Sequence, residues 1–179
     1  NIVFCSAGYG SGAGAVQISK SGTQFSVTEL WRNGLQIQWS TPVSAGGYLY
    51  GLFGSAYGNN GPLKCIDLLT GDEMWSEPGF GPGGTLLVDG KLLVTDVQGG
   101  VVLVETYPRA YTELTRFPAV TGKCWNSPAV SDGRLYARST TEAACLDLAD
   151  GTAPAPLVLA LEQMAAGTLR LRVSSSDGY

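Results

Sequence analysis

The chain has 179 residues, with 44% apolar side chains, 15% charged ones, 25 glycines and a formal charge of −4. That is enough apolar material for a core, and a glycine share of about twice the average fits short strands and tight turns rather than helices or disorder. No basic stripe exists to bind nucleic acid, no apolar run nears the roughly 18 residues of a membrane-crossing helix, and the absence of histidine removes the commonest general base and metal ligand.

In chain order, Ile2–Cys5, Gly14–Ile18 and Phe25–Trp31 read as strands, with the glycine-rich run Gly8–Gly14 as a loop between the first two. That run has no helix after it, so it lacks the context of a dinucleotide motif. The next strands are Trp39–Val43, Tyr48–Phe53, Leu63–Leu68 and Glu73–Ser76. A third group holds Gly84–Val88, Lys91–Thr95, Gly100–Glu105 and Glu113–Phe117, and a fourth holds Trp125–Val130, Arg134–Arg138 and Ala143–Leu148. The pairs Gly46-Gly47, Asp89-Gly90 and Asp132-Gly133 separate the first two strands of these later groups, and such pairs reach the positive φ of hairpin turns at little steric cost.

Gly47, Gly90 and Gly133 recur every 43 residues. A fixed period of about 40–50 residues marks a repeat architecture, and four antiparallel strands per repeat mark the blade of a β-propeller. The expected fold is all-β: a partial β-propeller of four-stranded antiparallel blades, about three and a half in number. Residues 1–38 form a partial blade lacking its innermost strand, 39–79 and 80–122 form blades, and 123–151 form a second partial blade. Residues 152–179 supply a stiff connector, Thr152–Pro156, and a β-hairpin expected to cover an exposed edge. A closed ring takes four to eight blades, so the chain is expected to be the C-terminal part of a larger propeller that opens inside a strand.

Trp31, Trp75 and Phe117 fall at spacings of 44 and 42 in the outermost strands, where one large ring per repeat anchors a blade on its neighbour. Asp67 and Asp147 recur at the end of the third strand, a position suited to capping the backbone N–H groups of the next turn. Asp89, Asp132 and Asp150 precede glycines and are read as turn residues. Cys5, Cys65, Cys124 and Cys145 contain no C-x-x-C pair, which leaves zinc without support. Cys65 and Cys145 occupy equivalent positions two repeats apart, too distant for a disulfide, and are read as small buried hydrophobes. Gln38, Trp39, Lys123, Trp125 and Asn126 lie in the connections into innermost strands, on the propeller face that usually carries ligands. Trp39 and Trp125 have no stacking role between blades. Two readings stay open for them: a stacking face for a planar ligand or a partner's side chain, or a plug for the channel.

Cys65-Ile-Asp67-Leu-Leu-Thr70-Gly71-Asp-Glu-Met-Trp75 resembles the blade signature of the pyrroloquinoline-quinone-like (PQQ-like) propeller repeat. That signature is a small residue, x, Asp, x, x, Thr-Gly, and a Trp four residues after the Gly. Ala144–Gly151 is similar to a second copy that lacks the Trp, while Thr121-Gly122 echoes the pattern in another register. The resemblance implies that Thr70-Gly71 turns the chain between the third and fourth strands and that Trp75 docks on the next blade. Some members of the family are quinoprotein dehydrogenases that hold PQQ and Ca²⁺ in an eight-bladed funnel, many with a vicinal Cys-Cys disulfide. Others are scaffolds, such as the lipoprotein subunit of the bacterial outer-membrane assembly machine. This chain has no Cys-Cys pair and no recognisable catalytic Asp with a calcium set.

The resemblance therefore implies a non-catalytic propeller in a periplasmic or extracellular setting. It would serve as a protein- or ligand-binding scaffold, with no catalytic residue, metal or cofactor. The alternative is a fragment of a PQQ-dependent alcohol or sugar dehydrogenase, which would need PQQ and Ca²⁺. The expected partners are another protein or the remaining blades, supplied by a companion chain or by self-association.

Overall fold

The structure is a computed structural model that describes residues 1–54, 61–148, 157–165 and 168–174. These residues form strands and no helix, arranged as separate antiparallel sheets. Blade 1 is three-stranded, with β1 (Ile2–Ala7), β2 (Gly12–Ser21) and β3 (Gln24–Asn33) in that order. Blade 2 runs β4 (Val43–Ala45), β5 (Tyr48–Leu52), β6 (Leu63–Asp67) and β7 (Glu73–Glu77). Blade 3 runs β8 (Gly84–Val88), β9 (Lys91–Thr95), β10 (Gly100–Glu105) and β11 (Glu113–Pro118). Blade 4 runs β12 (Ala129–Ser131), β13 (Arg134–Arg138), β14 (Glu142–Asp147), β15 (Leu157–Ala165) and β16 (Thr168–Ser174).

The 43-residue period is built on its turns. Both residues of each hairpin pair have positive φ: 58° and 88° at Gly46 and Gly47, 46° and 73° at Asp89 and Gly90, 50° and 70° at Asp132 and Gly133. Two left-handed residues in succession give the turn whose twist matches the flanking strands. Each third strand is then tied back to the turn at its base. Leu68 N donates to Gly47 O at 3.1 Å, and Leu148 N donates to Gly133 O at 2.7 Å.

Two inner strands are shorter than the sequence predicts. β4 starts at Val43 rather than Trp39, and β12 starts at Ala129 rather than Trp125. Pro42 and Pro128 stand just before them and have no N–H to give a ladder. The equivalent position in blade 3 is Thr85, and β8 runs its full expected length. The C-terminal hairpin belongs to blade 4: β15 pairs with β14, setting Leu157 opposite Cys145 and Ala160 opposite Glu142, and takes the outer place. The connector at 152–156 lies outside the described residues, as do residues 55–60 of the long loop in blade 2.

The core lies between blades rather than within one. β5 and β9 are buried on both faces over four consecutive residues, because each central blade has a neighbour on either side. β1 and β13 instead alternate between covered and exposed residues. Tyr50, Leu52, Leu63 and Cys65 of blade 2 pack on Leu92, Val94, Val102 and Val104 of blade 3, with Phe80 between them. Full burial of each such Leu or Val stabilises the arc by about 1.5–3 kcal/mol.

Candidate functional site

The outer-strand rings fasten one blade to the next. Trp31 is buried, and its Nε1 donates to Leu68 O of blade 2 at 2.9 Å. Its ring lies on Gly71, and Asn33 Nδ2 adds a bond to Gly71 O at 3.2 Å. Asp67 shapes the turn that receives Trp31. Its Oδ1 accepts from Leu69 N at 2.8 Å and Thr70 N at 3.1 Å, while Gly71 takes φ 78°. Thr70 Oγ1 donates to Asp72 Oδ2 at 2.8 Å and closes the loop.

Trp75 repeats the arrangement one blade on, its Nε1 donating to Tyr107 O at 2.9 Å. Tyr111 meets it edge-on at 5.7 Å between centroids. Phe117 is half-buried among Leu93, Val101 and Leu135, between blades 3 and 4, and a benzyl ring has no N–H to donate. Asp147 ends β14, exposed and opposite Arg134 in register.

Trp39 and Trp125 come together although they lie two blades apart. Their rings stack with centroids 5.8 Å apart and planes 22° from parallel. The reason is the missing bulk in blade 3, where the equivalent stretch is Pro82-Gly83-Gly84. A Cβ on Gly84 would overlap the backbone of Ser127, and one on Gly83 would overlap the carbonyl of Thr95. Without those side chains the segments before β4 and β12 close over blade 3. Two hydrogen bonds hold them there: Thr85 Oγ1 donates to Thr41 O at 3.0 Å, and Thr95 Oγ1 donates to Asn126 O at 2.9 Å.

Lys123 places its ammonium 3.5 Å from the centre of the Trp125 ring. Trp39 remains 52% exposed, so the stack has an open indole surface as well as a packed one. The Trp125 Nε1 is buried and has no hydrogen-bond partner among the described residues. An unmet donor of that kind costs about 1–3 kcal/mol. Asn126 is committed to structure, its Nδ2 donating to Arg138 O at 3.0 Å. Gln38 is half-buried and packs its chain against Gly8, where a Cβ would stand 3.0 Å away. The structure thus gathers Trp39, Lys123 and Trp125 into one platform, backed by Asn126.

The two buried thiols are subdued. Burial pushes Cys65 up to about 11, and burial likewise raises Cys124, whose Sγ donates to Arg138 O at 3.0 Å. Among the described residues no group of three metal-binding side chains occurs. The platform offers π-surface and one positive charge.

Two residues that organise this region escape the repeat pattern. Thr95 accepts from Gly84 N at 3.1 Å as well as holding Asn126. Asp96, buried, accepts from Gln98 N at 2.9 Å and Gly100 N at 2.8 Å, and Arg116 Nη1 stands 3.4 Å from its other oxygen. The one available signal for Asp96 is the Gly99-Gly100 pair that follows it.

No protein-family model matches the chain, and no match is found among the curated proteins. Among solved structures the chain is similar to the crystal structure of BamB from Moraxella catarrhalis. The TM-score is 0.56 at 19% identity, over 92% of this chain and 52% of that one. At that identity the likeness shows the fold alone: the chain is an all-β, partial β-propeller spanning about half the length of the neighbour it matches.

Proposed function

We propose that this chain is a non-catalytic binding scaffold of the PQQ-like repeat type, working outside the cytoplasm. It would take a protein segment or ligand on the face carrying Trp39 and Trp125. The observation that carries the proposal is the stacked indole pair, half open to solvent and capped by Lys123. Bulky rings held rigid by their neighbours bind at low entropic cost, which is why Trp dominates contact hot spots. The repeat type rests on the turn built by Asp67, Thr70 and Gly71 and on the Trp rings that dock beside it. The extracytoplasmic setting rests on the resemblance in the sequence and on the likeness of fold to BamB.

A random peptide library panned on the 179-residue chain tests the site. Selected peptides are expected to shift the tryptophan emission and to lose at least about tenfold in affinity on Trp39→Ala, the usual mark of a hot spot. Equal affinity for the wild type and Trp39→Ala counts against the site. Adding PQQ and Ca²⁺ tests the catalytic alternative: a quinone absorbance band with alcohol-dependent dye reduction would replace the proposal with that of a dehydrogenase.

A further inference from the structure

The loops of the arc fall on two faces that differ in charge. On one face the hairpin turns between first and second strands meet the turns between third and fourth strands. Leu68 N donates to Gly47 O there, and Thr106 Oγ1 donates to Gly90 O at 2.6 Å. Asp72, Asp89 and Asp132 are exposed on that face. On the other face the connections into the inner strands meet the loops between second and third strands. Val97 N donates to Phe80 O at 2.7 Å, Cys124 N to Val97 O at 3.0 Å and Thr140 N to Lys123 O at 3.0 Å. This second face carries the stack of Trp39 and Trp125.

Charged side chains are almost absent from the second face. The connections at 34–42, 78–83 and 119–128 contain one, Lys123. The loops at 8–11, 96–99 and 139–141 add Asp96, which is buried and stands against Arg116. Glu142 borders the face at the start of β14, and its carboxylate accepts from Thr121 N and Thr121 Oγ1. Lys123 is exposed and joins no ion pair among the described residues. A cavity of about 340 Å³ opens beside it, with Val97, Gln98 and Gly122 in its wall. No carboxylate stands among those wall residues.

The chain as a whole carries a formal charge of −4, yet this face offers a cation with no counter-charge. Such a group is complementary to an anionic one. Nucleic acids and anionic membranes are held by several cations at once, whereas one lysine matches one carboxylate. The exposed indole of Trp39 supplies a flat apolar surface in the same platform. Resting on the binding face described under Proposed function, we propose that the partner is an acidic peptide segment. Its Glu or Asp carboxylate pairs with Lys123, and a neighbouring aromatic ring lies on Trp39. The exposed aspartates of the opposite face repel the same segment, which fixes the side on which it docks.

Panning one random peptide library separately on the wild-type chain, Lys123→Gln and Lys123→Glu tests the charge. Lys123 is exposed, so both variants are expected to keep the wild-type circular dichroism. The wild type is expected to enrich Asp or Glu beside an aromatic residue. Lys123→Gln is expected to lose the acidic bias and keep the ring, and Lys123→Glu to enrich Lys or Arg instead. For a selected peptide, changing its acidic residue to the amide is expected to weaken binding about two- to fivefold, the range of an exposed ion pair, and the difference should vanish in high salt. Peptides rich in rings, lost on Trp39→Ala but without acidic bias, overturn this inference and leave the binding face standing. Failure to select any peptide above a support-only control overturns both. An acidic bias that persists on Lys123→Gln places the cation elsewhere and overturns the inference. Displacement of the selected peptide by an equal concentration of a single-stranded oligonucleotide also overturns it, in favour of a phosphate ligand.

Discussion

The ring of Trp31 occupies the space that any side chain on Gly71 would need: a Cβ built on Gly71 comes within 2.6 Å of the indole. The two residues belong to different blades, and the backbone of Gly71 is left-handed at φ 78°. Glycine is required there twice over, for conformation and for docking.

Gly71→Ala is therefore expected to loosen the junction of blades 1 and 2. The left-handed backbone alone costs about 1–2 kcal/mol for a residue with a Cβ, and overpacking against a buried ring adds roughly 1–3 kcal/mol. Urea unfolding followed by tryptophan emission measures the loss. Gly22→Ala serves as the control, since its φ is 60° but nothing lies within 4 Å of its Cβ position. It should show the conformational cost alone.

Trp31→Phe removes the hydrogen bond from Trp31 Nε1 to Leu68 O together with part of the buried ring. The bond is worth about 1 kcal/mol net and the smaller ring leaves a cavity, so the expected loss is about 2–4 kcal/mol. Phe117→Leu, at the equivalent place between blades 3 and 4, removes no hydrogen bond and changes volume alone. A Trp31→Phe protein as stable as wild type in chemical denaturation would show that the ring docks by shape alone.

Thiol chemistry gives a prediction that depends on pH. Cys65 is pushed up to about 11 by burial, and Tyr50 beside it is also raised, first by burial and then by its bond to Cys65. Cys5 is exposed. Iodoacetamide at pH 8 is expected to label Cys5 within minutes and to reach Cys65 and Cys124 only on unfolding, as read by peptide mass spectrometry. The same shift fixes the sign of alkaline destabilisation. The folded value for Cys65 lies above its ordinary 9.0, so the contribution is fully present below about pH 9 and is lost as pH rises toward about 11. The melting temperature should fall across that window, and Cys65→Ala should flatten the fall.

Much of the blade plan was legible in the chain because turns and outer rings are local signals repeated at one period. Asp89-Gly90 predicts its own turn, and Trp31 and Trp75 mark outer strands wherever a neighbour lies. The platform was only half legible. Trp39 and Trp125 stood out as rings without a docking role, but their contact spans two repeats, and strand spacing carries no information about distance across a channel. Its cause sits in blade 3, where glycine appears as an absence of signal. Pro42 and Pro128 shortened β4 and β12 by removing donors, a local effect that the repeat alignment passed over. β15 completed blade 4 without the Trp that marks the outer strands of blades 1 and 2, so nothing in the signature set it apart from a separate hairpin.

The role given to Gly84 can be tested without touching either tryptophan. Stacked indoles 5.8 Å apart couple their transitions and give a paired band in the far-ultraviolet circular dichroism that single rings do not. Gly84→Ala puts a methyl group into the backbone of Ser127 and forces apart the segments leading into β8 and β12. The paired band is expected to weaken or vanish, with stability falling by about 1–3 kcal/mol, the usual cost of overpacking. Trp39→Phe is expected to remove the band while costing only about 0.5–1.5 kcal/mol, the worth of an aromatic pair. If Gly84→Ala keeps the full band, the rings meet for a reason other than the gap in blade 3. If it loses the band and Trp39→Phe does the same at smaller cost, the glycine in the middle blade sets the geometry of a site whose rings come from the blades on either side.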